Sequence, residues 1–394
     1  MAEPPLRLAL IRQRYTPYGG AERFIERALC ALTQQELDIT LIAREWQTTN
    51  LAINANSWHH LRCNPSVPTW RGRTARDRSF AVAVQALLAR EKYDLTQTHE
   101  KIPGCDIYRA GDGVHAAWLE QLARSDGFFG KLYHSISPYH RYQIEAENKL
   151  YNHPQLKAVI CNSQMVKLEI VSQYALNPGK IHVIYNGVDN DMFSPDLSRQ
   201  FRASERARLR IDEQATVLLF VGNGFKRKGL PQLLSAFANM RRDAVLVVVG
   251  ADRNSRTMLK LARQLNIAAR VLFLGALTDV RPCYGMADAF VLPSRYDPCP
   301  NAVLEAMSSA LPVLTSNSCG AKEWINHGVN GYVVDALDCM AIREQLDKLC
   351  VLAMQPEAHA AARAAVQNLT LECMAMQMAA LYQRLFDDIQ EANM

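Results

Sequence analysis

Residues 217–229 read Val217-Leu218-Leu219-Phe220-Val221-Gly222-Asn223-Gly224-Phe225-Lys226-Arg227-Lys228-Gly229. Five apolar residues, three of them β-branched or aromatic, predict a strand buried on both faces. The glycines then predict a loop that opens a helix. Similar runs follow at Ala244–Gly250, Arg270–Gly275, Ala289–Ser294 and Pro312–Thr315, at intervals of about 20–30 residues. Each ends in glycine or a polar turn and is followed by helical spacing. That alternation predicts a doubly wound α/β domain around a parallel sheet.

The first half repeats the theme. Leu6–Ile11 reads as a strand and Arg12–Gly20 as a loop containing Pro17, Gly19 and Gly20. Ala21–Gln35 carries Phe24, Ile25, Ala28, Leu29 and Leu32 at helical spacing. Further strands are expected at Ile39–Ala43, Leu95–Thr98, Asp106–Ala110, Lys157–Asn162 and Ile181–Tyr185. Helices are expected at Ser79–Arg90 and at Ser135–Asn152, the latter broken near Pro138. Ser163 reads as an N-cap. The Asn186-Gly187 turn places the domain junction, giving domains at 1–188 and 189–375, with a C-terminal helix at 376–394 packing back on the first.

Composition excludes several classes. The chain has 394 residues, 49% hydrophobic and 21% charged, with a formal net charge of +5. This is globular and only mildly basic, and no basic tract points to nucleic acid. Ten cysteines sit singly, several inside apolar runs, which suits buried thiols in a reducing compartment. No apolar stretch reaches the roughly 18–20 residues of a spanning helix, and the N-terminus lacks a signal-peptide pattern. The expectation is a cytoplasmic protein, with membrane contact only at its surface.

Four constellations carry candidate chemistry. Gly19 and Gly20 lie between a strand and a helix, where free N–H groups and the dipole favour phosphate; an ordinary glycine turn is the alternative. Lys226, Arg227 and Lys228 flank glycines at a strand's C-terminal end, placed to neutralise a diphosphate, or else form a solvated turn. Asp297 and Glu305 stand eight positions apart around a helix start near Asn301. Asp297 suits sugar hydroxyls, Glu305 a ribose diol, and the helix N-terminus between them a phosphate; a loop acid and a surface glutamate form the alternative. His115, after a strand and Asp112-Gly113-Val114, faces a ligand in one reading and is structural in the other. Asp189-Asn190-Asp191 has the spacing of a divalent-ion site, but following Asn-Gly it reads as turn chemistry. Arg71, Arg73, Arg76 and Arg78 form a basic group, and Tyr133–Tyr151 interleaves aromatics with cations including Arg141. Solvated surface or contact with an anionic acceptor or membrane are the two readings.

Taken together, these motifs resemble family 4 of the retaining glycosyltransferases, which have the GT-B fold of two Rossmann-like domains facing a cleft. The resemblance rests on Gly19-Gly20, on Val183-Ile184-Tyr185-Asn186-Gly187-Val188-Asp189 with Phe193 and Pro195, on Arg227-Lys228-Gly229, and on Asp297…Glu305 within Pro293-Ser294…Glu305-Ala306-Met307. Tyr15–Arg23, Lys101–Asp106 and Phe225–Gly229 are similar to the lipopolysaccharide-core glucosyltransferases. The resemblance implies that Gly20, Arg227 and Lys228 hold the donor diphosphate, Asp297 the donor sugar and Glu305 the ribose. It places Asn301, Ala302 and Val303 at the donor and His115 near the reacting carbon. It further implies a UDP-hexose donor such as UDP-glucose, an anionic lipid-linked acceptor, no cofactor and no metal. Two departures stand out: Asp297 occupies a position where the family usually has glutamate, and Asn223 one where arginine is commoner. A nucleotide-sugar epimerase, a phosphorylase and a non-catalytic scaffold are the other functions open to this architecture.

Overall fold

The computed structural model describes residues 5–15, 37–46, 58–62 and 72–393. The chain divides into two units, residues 1–186 with 371–394, and residues 187–370. The sequence reading set these boundaries at 188/189 and 375/376. The crossing segments are held side by side: Val188 N–H donates to Leu369 O at 2.8 Å, and Val188 bridges Thr370.

Unit 1 carries a parallel sheet of β1 (Leu6–Tyr15), β2 (Leu37–Trp46), β3 (Trp58–Arg62), β4 (Leu95–Thr98), β5 (Ile107–Arg109), β6 (Ala158–Cys161) and β7 (Ile181–Val183). Its order is β3-β2-β1-β4-β5-β6-β7. β1 is longer than the hydrophobic run implies: its ladder with β2 continues to Tyr15 opposite Trp46, so Arg12–Tyr15 is strand and not loop. An Arg14–Glu45 ion pair at 2.9 Å supports that extension. The expected helix at Ala21–Gln35 lies outside the described residues. Ser137 divides the helical region into His115–Ile136 and Pro138–Tyr151. Its ψ of 121° is the extended conformation that a following proline imposes. Ser163 caps the helix Gln164–Tyr174, accepting from Val166 N–H at 3.3 Å. The last helix, Leu371–Asn393, lays Met374, Met378, Leu381 and Leu385 on the apolar core of this sheet.

Unit 2 carries β8 (Val217–Val221), β9 (Val245–Val249), β10 (Val271–Gly275), β11 (Ala289–Leu292), β12 (Val313–Ser316) and β13 (Gly331–Val334), ordered β10-β9-β8-β11-β12-β13 and parallel. Every residue of β8 is buried. Each fully buried Val, Leu or Phe stabilises by about 1.5–3 kcal/mol, which is why uninterrupted apolar runs mark these strands. The charged stretch Arg199–Arg210 forms most of a helix, Asp196–Arg208. Its Arg206 is 1% exposed and donates to Glu213 O and Ala215 O, both at 2.8 Å, while pairing with Asp288 at 2.8 Å. In both sheets the chain works outward from the first strand in one direction, then in the other. The C-terminal ends of β1 and β4, and of β8 and β11, therefore lie side by side at a switch point, where open α/β sheets bind ligands.

Candidate active site

The switch point of unit 2 brings together three of the residues singled out from sequence. β8 pairs with β11, so the loops that follow them meet. Gly229 fixes their separation: its φ is +77°, and a Cβ there would lie 1.9 Å from Pro293 O. Only glycine fits. Arg295 N–H donates to Arg227 O at 2.8 Å. Across this seam Lys228 Nζ pairs with Asp297 Oδ2, and Arg227 Nη1 lies 3.2 Å from the same oxygen while donating to Tyr296 O at 2.9 Å. The Asp297 backbone is tied to the β12 loop, donating to Ser318 O at 3.0 Å and accepting from Gly320 N–H at 2.9 Å.

Lys228 and Asp297 are both buried. Burial pushes the Asp297 carboxyl up, but Lys228 and Arg227 outweigh it and hold it below the ordinary carboxylate value. Burial also lowers Lys228, and Arg227 adds to that; Asp297 opposes both without cancelling them. Two cations against one carboxylate leave the cluster positive, so a polyanion arriving here is attracted. Asn223, at the position where arginine is commoner, accepts from Ala251 N–H at 3.0 Å and holds the neighbouring loop.

The helix that follows spans Asn301–Ser308, with Pro300 as its N-cap. Proline offers no side-chain acceptor; Val303 N–H donates to Pro300 O at 3.0 Å, and the helix N-terminus at Asn301 lies at the positive end of the dipole. Glu305 is not a surface glutamate: it is 3% exposed. Tyr284 Oη donates to its Oε2 at 3.0 Å. Tyr284 was not evident from sequence, because it falls in an apolar segment with no motif of its own.

His115 belongs to unit 1 and opens the helix His115–Ile136 rather than ending a strand. Its N–H donates to Glu147 Oε1 at 2.7 Å, and its Nε2 lies 2.9 Å from His140 Nδ1. Burial first, then Lys101 and His140, lower His115 to about 3, so the ring is neutral at ordinary pH. Glu147 is fully buried, pairs with Lys101 at 2.9 Å and accepts from Tyr174 Oη at 2.6 Å. Sequence reasoning missed Glu147 and the role of Lys101: a helix-interior glutamate gives no sign that it caps another helix.

The basic group at Arg73–Arg78 is helical, within Arg73–Leu88, and not a loop. Arg73 sits over the Tyr139 ring at 5.7 Å and Arg78 over Tyr142 at 5.5 Å. These cation–π contacts pack the helix Arg73–Leu88 on Pro138–Tyr151. Arg141 is exposed, whereas Tyr151 is buried against Tyr108 and Tyr174. Asp189 Oδ1 accepts from Met192 N–H at 2.8 Å and Asp191 N–H at 3.2 Å, which is turn chemistry. Gly19, Gly20 and Arg71 lie outside the described residues.

Comparisons with known proteins agree with this architecture. The family described as Glycosyltransferase Family 4 matches residues 18–192, and Glycosyl transferases group 1 matches residues 201–367. The chain is a glycosyltransferase of the GT-B type. It belongs to the family 4 glycosyltransferases and is similar to those of lipopolysaccharide-core assembly. It is 25% identical over 331 residues to the lipopolysaccharide glucosyltransferase WaaG of Escherichia coli (strain K12), covering 83% of this chain and 84% of that one. The crystal structure of WaaG, a glycosyltransferase involved in lipopolysaccharide biosynthesis, superposes with a TM-score of 0.81 at 23% identity, over 95% of this chain and 99% of that one. Anabaena Alr3699/HepE, solved in complex with UDP-glucose, superposes with a TM-score of 0.71 at 19% identity, over 96% of this chain and all of that one. No helix among the described residues is long and apolar enough to cross a membrane.

Proposed function

We propose that the chain moves glucose from UDP-glucose to a lipid-linked glycan of the lipopolysaccharide-core kind, with retention of anomeric configuration. The carrying observation is the buried Lys228–Asp297 pair with the half-exposed Arg227 on the same carboxylate oxygen at a switch point, followed by a helix N-terminus and a buried glutamate. In this reading the donor diphosphate sits against Arg227, Lys228 and the N-terminus of the helix Asn301–Ser308. Asp297 holds Lys228 in place and accepts from donor-sugar hydroxyls; Glu305 accepts from the ribose. The acceptor oxygen attacks the anomeric carbon on the face that the leaving group vacates, and its proton passes to the departing diphosphate. Charge on that diphosphate grows as the bond breaks. Fixed cations there lower the barrier, by about 3–4 kcal/mol for a well-placed group. The reading assigns this neutralisation to arginine and lysine rather than a divalent ion. A neutral His115 donates or accepts one hydrogen bond near the reacting carbon. Arg73 and Arg141 meet the anionic acceptor or the membrane surface carrying it.

The test measures thermal midpoints with UDP, GDP, ADP and NAD, then transfer from labelled UDP-glucose to extracted core glycolipid. A nucleotide at 100 times its dissociation constant stabilises by about 2.7 kcal/mol. Stabilisation by UDP, lost in Glu305→Ala, together with an α-linked product, is expected. Stabilisation by GDP alone overturns the donor. Conversion of the UDP-sugar without acceptor replaces transfer by epimerisation. Binding without turnover on any acceptor leaves a scaffold.

A further inference from the structure

We infer that Tyr284 is a positioning residue for the donor ribose: it fixes the Glu305 carboxylate and thereby sets discrimination at the ribose hydroxyls. The inference rests on the donor reading above. Tyr284 and Glu305 lie 21 positions apart in sequence and meet in the interior, 1% and 3% exposed. The phenol has one hydrogen and two acceptors in reach, Glu305 Oε2 at 3.0 Å and Ala302 O at 3.3 Å. The charged oxygen is the stronger acceptor and takes the bond. The ring itself is fixed. Phe193 meets it edge-on at 5.4 Å and 87°, and Phe290 stacks on it at 6.1 Å and 24°.

The helix carrying Tyr284, Arg281–Met286, is fixed too. A Cβ on Gly285 would lie 2.3 Å from Leu197 O, so this helix is seated directly on Asp196–Arg208. The phenol is therefore a rigid donor aimed at one carboxylate oxygen. A glutamate left to its rotamers must be ordered by the incoming nucleotide, which lowers affinity for whatever contacts it. A glutamate already held by Tyr284 spends that ordering in the folding of the protein. The benefit is confined to ligands that reach Glu305, the nucleotides with an intact ribose diol.

The test titrates UDP, 2′-deoxy-UDP and 3′-deoxy-UDP into wild type, Tyr284→Phe and Glu305→Gln by calorimetry, each variant's fold checked by its melting curve. Wild type is expected to favour UDP over the poorer deoxy nucleotide by about tenfold, the size of one hydrogen bond to a charged group. Tyr284→Phe reduces that ratio to about threefold or less and leaves deoxy-nucleotide affinity within about twofold; Glu305→Gln brings the ratio near one. Because the readout is a ratio on one sample, a partly unfolded variant does not imitate it. A wild-type ratio retained in Tyr284→Phe, or equal weakening of all three nucleotides, overturns the inference alone. No UDP binding by wild type, or a wild-type ratio of one, overturns the donor reading beneath it.

Discussion

Glu100 and Asp297 hold equivalent places in the two units. Each follows the strand paired with its unit's first strand, β4 in one and β11 in the other. Their surroundings differ. Glu100 accepts from Gln13 N–H at 3.0 Å and has Arg12 at 3.7 Å. Burial outweighs these and raises its carboxyl above the ordinary value. Asp297 has two cations on one oxygen and lies below its ordinary value. On the unit 1 edge His99 and His115 are also driven toward neutrality, burial being the main cause for each. One fold thus builds, from the same strand order, an edge where burial shifts titratable groups toward their neutral forms and an edge where cations hold a carboxylate as an ion. The count of nearby cations, not burial, decides which. A diphosphate suits the second edge, and hydroxyls suit the first.

The largest expected effect tests the ionic edge. Lys228→Ala should lower kcat for glucosyl transfer by about 10²–10³, the loss typical of one charge-stabilising donor. Asp297 keeps Arg227, so the fold survives. Initial rates at saturating donor measure it. If Lys228→Ala keeps its rate, the two edges do not differ in the way argued.

The neutral edge gives a smaller effect, read in pH. His115 falls from the ordinary 6.5 to about 3 on folding. Between those values the unfolded chain binds a proton that the folded chain does not, so stability rises with pH. The contribution is complete above pH 6.5 and is lost as pH falls toward 3. From pH 7 to pH 5 wild type should lose up to about 2 kcal/mol at this residue. His115→Gln should show a correspondingly flatter dependence in urea titrations. An unchanged slope would mean the imidazole is not held neutral.

Sequence and structure part company along the same line. Apolar runs such as Val217–Val221 were legible, because burial on both faces leaves an uninterrupted signature. Loop cations and Asp297 were legible because polar residues at a strand's C-terminal end are conspicuous. The Gly331–Val334 strand was not, being short and only half-buried at its centre. Partners brought in from elsewhere in the chain left no trace either. Glu147 caps a helix 32 positions away, Tyr284 reaches Glu305 across 21, and Arg206 is buried by backbone carbonyls that no side-chain pattern announces. For Glu305 a ribose contact and a surface glutamate both stayed open for the same reason: an eight-residue helix shows too little periodicity to say which face is covered.

The smallest effect separates the two carboxylates by sign. Glu100 is raised on folding, so its contribution is present below its unfolded value near 4.5 and is lost as pH rises through its folded value. Asp297 is lowered, so its contribution is present above 3.8 and is lost as pH falls through its folded value. Glu100→Gln keeps a carbonyl oxygen for the Gln13 amide and removes a half-buried carboxylate. At pH 7 it should stabilise, by no more than about 1 kcal/mol, and the gain should vanish near pH 4. Asp297→Asn should destabilise at pH 7, because the buried Lys228 loses its counter-charge and Arg227 its partner. Paired urea titrations at pH 7 and pH 4 compare the two. Opposite signs at pH 7 sharpen the contrast between the edges. A destabilised Glu100→Gln would show that Arg12, at 3.7 Å, already suffices to hold Glu100 as an ion.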